Sequence, residues 1–267
     1  MKDGVTFGQF WLKCWTAAAI FFVLGPLVFV VLVSLTPLNY ISLPTTGISL
    51  RWYAQLADNH DLLAAGGNSL MLAFGSSIAA LLFGTSAAVA SVRWRFFLLQ
   101  PLRLFASTPL LVPMVMSGLA LLAFSANTGW QNQALRNYVG HAAITLPYVF
   151  RTVSASLAGF DPNQELAARN LGATPLKAFM LITLPQLRSG VAAGALFAFI
   201  VSFDNVGLSI FLNGAQFQTL PVQLFAYASY SDDPMVAAAS VAMIAVSVLA
   251  IVIVERFFGL QKLMRSG

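Results

Sequence analysis

Charge is what this sequence has least of. Asp, Glu, Lys and Arg make up 9% of its 267 residues, where a soluble domain carries about 25%. Hydrophobic residues reach 58% and the mean hydropathy is +0.80, so the chain reads as a membrane protein. A single cysteine, Cys14, excludes an intrachain disulfide and a cysteine-built metal centre. The two histidines, His60 and His141, stand far from ligand spacing. No G-x-x-x-x-G-K-[ST] stretch is present to cradle phosphates. An intramembrane enzyme is excluded on similar grounds. There is no H-E-x-x-H and no Ser–His frame, and one deep acidic residue stands where an aspartyl dyad needs two. The net charge of +5 does not point to nucleic acid, because the aromatics do not interleave with basic residues.

What is present is a series of apolar stretches, each near the roughly 20 residues that cross a bilayer. They lie at about 16–35, 68–92, 104–125, 135–157, 189–212 and 234–254. The first is too long for a signal-peptide core, since no charge falls between residues 14 and 50, and it has no small-residue cleavage site. It is expected to be a retained span. A polar external segment follows, at about 39–67, with Arg51, Asp58, His60 and Asp61. The third span carries Pro109 and Pro113 and is expected to kink. The fourth is squeezed between Arg136 and Arg151, which would lie near opposite interfaces and snorkel. His141 is read as a hydrogen-bonded residue near an interface. Trp11, Trp15 and Trp94 suit interface belts.

Six spans put both termini on one side. Lys2, Lys13, Arg93, Arg95, Arg103, Arg151, Arg169, Lys177, Arg188, Arg256, Lys262 and Arg265 fall on that side, against Arg51 and Arg136 on the other. Basic residues collect in cytoplasmic loops, so the termini and the segment 161–185 are expected there. The fold class is therefore all-α and polytopic. The expected divisions are residues 1–65 (first span and external loop), 66–257 (core of spans two to six) and 258–267 (cytoplasmic tail).

The segment 161–185, DPNQELAARNLGATPLKAFMLITLP, is the longest polar interruption with helical pattern. Asp161-Pro162 has the form of a helix start, with Gln164 placed for a capping box. Gly172 offers the left-handed turn that ends a helix. Thr174-Pro175 repeats the start signal and Leu184-Pro185 closes the second helix. Leu176, Phe179 and Met180 share one face of it at i, i+3 and i+4. This apolar knuckle needs a partner surface or the membrane interface to cover it.

Ala167-Ala168, Gly172 four residues on, nine further residues and then Ile182-x-Leu184-Pro185 resemble the E-A-A-x-x-x-G…I-x-L-P loop of permease subunits of binding-protein-dependent ABC transporters. One position departs. Leu166 stands where that family has glutamate, and Glu165 precedes it. One residue is a 100° rotation on a helix. The resemblance runs from about residue 68 to 256, with Leu146-Pro147-Tyr148 and Phe160-Asp161-Pro162 leading into the loop. Ser202-Phe203-Asp204 and Gln218-Thr219-Leu220-Pro221-Val222 resemble the spermidine/putrescine-type branch.

That resemblance implies a non-catalytic membrane subunit of an ATP-driven importer in a bacterial inner membrane. ATP and Mg would sit on two copies of a cytoplasmic partner, so this chain would carry no cofactor and no metal. A second permease subunit, in that branch usually a paralogue, and an extracytoplasmic solute-binding protein would complete the assembly. The solute would be a polyamine, a similar small organic cation or an opine-like compound. The implied coupling residues are Glu165, Ala167, Ala168, Gly172, Pro175, Leu176, Phe179, Met180, Ile182, Leu184 and Pro185. Asp204, inside the fifth span, is either a carboxylate of the solute path or a structural one bonded to Ser202, Asn205 or a neighbouring helix end. The rival function is a secondary transporter or channel without an ATPase. Such proteins pair interrupted helices in two halves, and no paired halves are visible here.

Overall fold

The computed structural model describes residues 7–42, 47–93 and 108–258. Lys2, Trp94, Arg95, Arg103, Lys262 and Arg265, the start of the third expected span and nearly all of the tail lie outside them. The described chain is nearly all helix, with one isolated bridge, Gly214 to Phe217. In order, α1 is Phe7–Ser34, α2 Arg51–Asp58 and α3 His60–Arg93. A 3₁₀ turn at Thr108–Leu110 precedes α4, Met114–Thr128, and α5, Gln133–Ala158. Then come α6, Asn163–Asn170, and α7, Pro175–Ala178. A π-helical turn at Phe179–Thr183 leads to α8, Leu184–Gln186. The remaining helices are α9, Arg188–Phe203, α10, Ser209–Leu212, α11, Leu220–Tyr230, and α12, Met235–Phe258.

Among the described residues, three helices are long and apolar enough to cross a membrane: Trp11–Ser34, His60–Arg93 and Met235–Phe258. The pair Pro175–Gln186 and Arg188–Phe203 qualifies together, with a 66° bend between its halves. Several expectations change in detail. The polar segment at 39–67 is not a plain loop, because α2 and the first two turns of α3 are cut from it. Pro113 does not kink the third span from within; it stands just before α4 as its cap residue, where a proline costs no helical hydrogen bond. The fifth span is not continuous over 189–212. It stops at Phe203 and resumes as the single turn α10.

The chain forms two compact units. In the first, Met1–His60 with Ala226–Ala245, α2 is tied to the end of α1. Ser34 Oγ bonds the Tyr53 hydroxyl at 2.7 Å, and the Trp52 indole N–H donates to the Thr36 carbonyl at 2.8 Å. Arg51 donates to the Pro37 carbonyl at 2.9 Å and lies over the Trp52 ring.

In the second unit, Asp61–Phe225 with Val246–Gly267, the core is formed by α3, α5 and α9. Ala80 and Ala88 meet Val149, Phe150, Val153 and Leu157, with Ala198 from α9 and Leu187 just before it. Small residues permit this closeness, as membrane helix packing requires. A Cβ on Gly84 would come within 2.9 Å of the Val149 Cβ, and one on Gly194 within 3.0 Å of the Val149 Cα.

Candidate functional site

Two features of the second unit stand out, the polar loop at 161–187 and the break after α9. In the loop, Asp161 accepts a hydrogen bond from the Asn163 amide at 3.0 Å and so turns the chain into α6. The capping box expected with Gln164 does not form. The Gln164 side chain instead accepts from Gln186 Nε2, across the loop. α6 ends as anticipated at Gly172, whose φ is +93°, with the Gly172 amide donating to the Arg169 carbonyl and the Ala173 amide to that of Ala168. Thr174 then caps α7 by accepting from the Lys177 amide at 3.3 Å, and Pro175 takes its first turn.

Along this loop Leu166, Leu171, Leu176, Met180 and Leu181 are exposed, Leu171 at 90%. Ala167, Pro175 and Pro185 are exposed too, while Ala168, Ile182 and Leu184 are half-buried. Phe179 does not stand out with Leu176 and Met180. It is half-buried, and the Arg93 guanidinium lies 4.8 Å from its ring centre. Glu165 is also turned inward. Its carboxylate pairs with Arg93 through both guanidinium NH₂ groups and accepts from Thr183 Oγ1 at 2.6 Å. A cavity of about 450 Å³ beside it is lined by Val92, Leu157, Phe160, Leu166 and Arg169.

The break begins at Asp204, which caps α9 through its own amide to the Ile200 carbonyl and leaves its carboxylate exposed. The partners proposed for a structural role are engaged elsewhere. Asn205 Oδ1 accepts from the Leu208 amide at 2.8 Å, and Ser202 Oγ bonds Ser76 at 2.9 Å and His141 at 2.7 Å. His141 is wholly buried and spans the break, with Nδ1 on Ser202 and Nε2 on Ser209 at 2.9 Å.

Arg136 corrects a second expectation. It does not snorkel at an interface but is 8% exposed, donating to Ser125 Oγ at 3.1 Å and to the Leu212 carbonyl at 2.9 Å. Asn137 donates to the same carbonyl at 3.0 Å. The carbonyl of Leu212, at the C-terminal end of α10, has no partner within the helix, and a buried carbonyl needs a donor. Arg136 and Asn137 supply it. Neither residue, nor the Ser76–Ser202–His141–Ser209 chain, stood out as a group in the sequence. Their only local signal is polarity inside apolar segments.

Residues 80–261 match the family described as binding-protein-dependent transport system inner membrane component. The putrescine transport system permease protein PotI of Escherichia coli K12 is 33% identical over 220 residues, covering 80% of this chain and 78% of its own. The spermidine/putrescine transport system permease protein PotC of Haemophilus influenzae is 30% identical over 207 residues, 78% and 80% of the two chains. Among solved structures, a bacterial ABC transporter involved in import of the acidic polysaccharide alginate aligns over 96% of this chain and 100% of its own. Its TM-score is 0.71 at 17% identity, which supports the fold. An amino acid ABC transporter aligns over 77% of this chain and 96% of its own, with TM-score 0.61 at 17% identity. The chain thus belongs to the binding-protein-dependent transport system inner membrane components and is an inner-membrane permease subunit of an ABC importer.

Proposed function

We propose that this permease carries a polyamine or a similar small organic cation, and that the loop at 161–187 is where a cytoplasmic ATPase subunit takes hold. The carrying observation is continuity. Pro175–Gln186 runs through a 66° bend into α9, and α9 ends at Asp204. Sixteen helical residues span about 24 Å, so a push passed through the bend reaches the break along α9. The exposed row Leu166, Leu171, Leu176, Met180 and Leu181 suits burial in a partner groove. The names of the relatives, putrescine and spermidine/putrescine permeases, favour a cationic solute, and an exposed carboxylate at a helix break is a fitting contact for one.

In this reading the chain crosses the membrane six times with both termini cytoplasmic, residues 1–65 add a span to the core at 66–257, and 258–267 is a tail. It performs no catalysis. ATP and Mg act on two copies of the partner ATPase, beside a second permease subunit and an extracytoplasmic binding protein. Ala167, Ala168 and Gly172 allow close backbone approach, Pro175 and Pro185 stiffen the loop, and Ile182 and Leu184 anchor it.

The test is to purify the chain with its ATPase subunit and binding protein and to identify the bound solute by mass spectrometry. A cationic amine and permease-stimulated ATP hydrolysis are expected. Uptake by the lone chain, without ATP, would overturn the reading. Asp204→Asn should slow uptake about tenfold or more, the equivalent of one charge-assisted hydrogen bond, while the ATPase subunit still co-purifies. Unchanged uptake would remove Asp204 from the path.

A further inference from the structure

Glu165, implied as a coupling residue, turns its carboxylate inside the chain. It is held by Arg93, the last residue of α3, and by Thr183, the last residue of the π-helical turn. Arg93 also donates to Thr183 Oγ1 at 3.2 Å and covers Phe179. Thr183 is wholly buried, and the Glu165 and Arg93 side chains are 13% and 29% exposed. Three segments meet at this point: the end of α3, α6 and the π-helical turn. A guanidinium gripping one carboxylate with two N–H groups fixes orientation as well as distance. π-Helical turns inside helices are frequent at functional sites, and this one places Phe179 and Thr183 on the face turned to Arg93.

We infer that Arg93 and Glu165 are positioning residues for energy coupling. Their clasp makes the end of α3 move with the loop, so that a load applied to the loop reaches α3 as well as α9. The inference rests on the reading that the loop docks an ATPase. In place of a glutamate offered to the ATPase, this chain has a glutamate that couples two of its own helices, and the exposed neighbour at the docking face is Leu166.

The experiment uses the complete importer, permeases with ATPase and binding protein, reconstituted in liposomes. Solute moved per ATP hydrolysed is measured alongside the ATPase subunit retained on purification. Glu165→Gln and Arg93→Met should each lower solute per ATP at least fivefold while ATPase retention stays within twofold of wild type. The exchanged pair Arg93→Glu with Glu165→Arg should recover at least half of the wild-type ratio. A purely structural role would lower yield in the single variants without changing the ratio, and that result would overturn the inference. Loss of the ATPase subunit in Glu165→Gln, with an unchanged ratio in the complex that remains, would overturn it by making Glu165 a docking residue. Where a single variant yields no complex, Thr183→Val tests the same clasp by removing one donor, and an unchanged ratio there counts against it. A wild-type chain that binds no ATPase overturns the docking reading itself, whereas wild-type coupling with unaffected variants overturns the clasp alone.

Discussion

Gly194→Val should cost the protein its folded second unit, or lower its unfolding temperature in detergent by several degrees. A Cβ at 194 would stand 2.6 Å from Thr152 Oγ1 and 3.0 Å from the Val149 Cα. The hydroxyl can rotate away, but the α-carbon belongs to the backbone of α5 and moves only with its helix. Overpacking a close contact costs about 1–3 kcal/mol, and a clash with backbone on a β-branched residue belongs at the upper end. The damage would not stay local. Gly190, one turn earlier, is pressed against Ser156 and the Thr152 carbonyl, so the two glycines form one seam between α5 and α9. Opening that seam pulls Ser202 away from His141 and Ser209 with it, and a buried imidazole left without partners costs about 1–3 kcal/mol more. Gly194→Ala should fall between wild type and valine. Thermal unfolding of the detergent-purified chain measures this, and a valine variant as stable as wild type would mean the seam can spread freely.

The break after α9 was out of reach of sequence reading, for an identifiable reason. Apolar residues continue on both sides of Asp204-Asn205, from Val201 and Phe203 to Val206, Leu208, Ile210, Phe211 and Leu212, so composition predicts one span where the chain makes two pieces. The interruption is fixed by hydrogen bonds: Asn205 Oδ1 accepts from the Leu208 amide, and the Leu212 carbonyl at the end of α10 accepts from Arg136, 76 positions away. Arg136 was read as an end marker because an arginine beside a short apolar stretch looks like one. Its acceptor is the carbonyl that ends α10, on an element far along the chain. Glu165 was named as a coupling residue, but its partners Arg93 and Thr183 were not, since they lie 72 and 18 residues off. Local grammar did better. Thr174-Pro175 and Gly172 signal a cap and a left-handed turn through their own backbone chemistry, and both are found. The expected capping box failed where a distant side chain, Gln186, competed for Gln164.

The second large effect is expected from Gly172→Val, and here crowding has no part. No atom lies within 4 Å of where a Cβ at 172 would sit, so the whole penalty comes from φ at +93°. An L-residue pays about 1–2 kcal/mol for left-handed backbone, and a β-branched side chain is the least suited to it. The strain cannot be relieved by a neighbour giving way. It is relieved by turning the backbone to negative φ, which moves Ala173 and Thr174 off the path into α7 and breaks the bond from the Ala173 amide to the Ala168 carbonyl. The two short helices would then meet at a different angle, and the exposed leucines of α6 and α7 would change their relative placement. Global stability should change little, because α6 has no buried residue to lose. Coupling should change greatly: in the reconstituted importer, solute moved per ATP should fall about tenfold, a ratio of about 1.4 kcal/mol and so of the same order as the strain. Gly172→Asn is the control, since asparagine tolerates left-handed backbone, and it should keep most of the wild-type ratio. Equal loss in the asparagine and valine variants would show that the absence of a side chain matters at 172, rather than the turn. Wild-type transport in the valine variant would show that the angle between α6 and α7 is not what the ATPase reads.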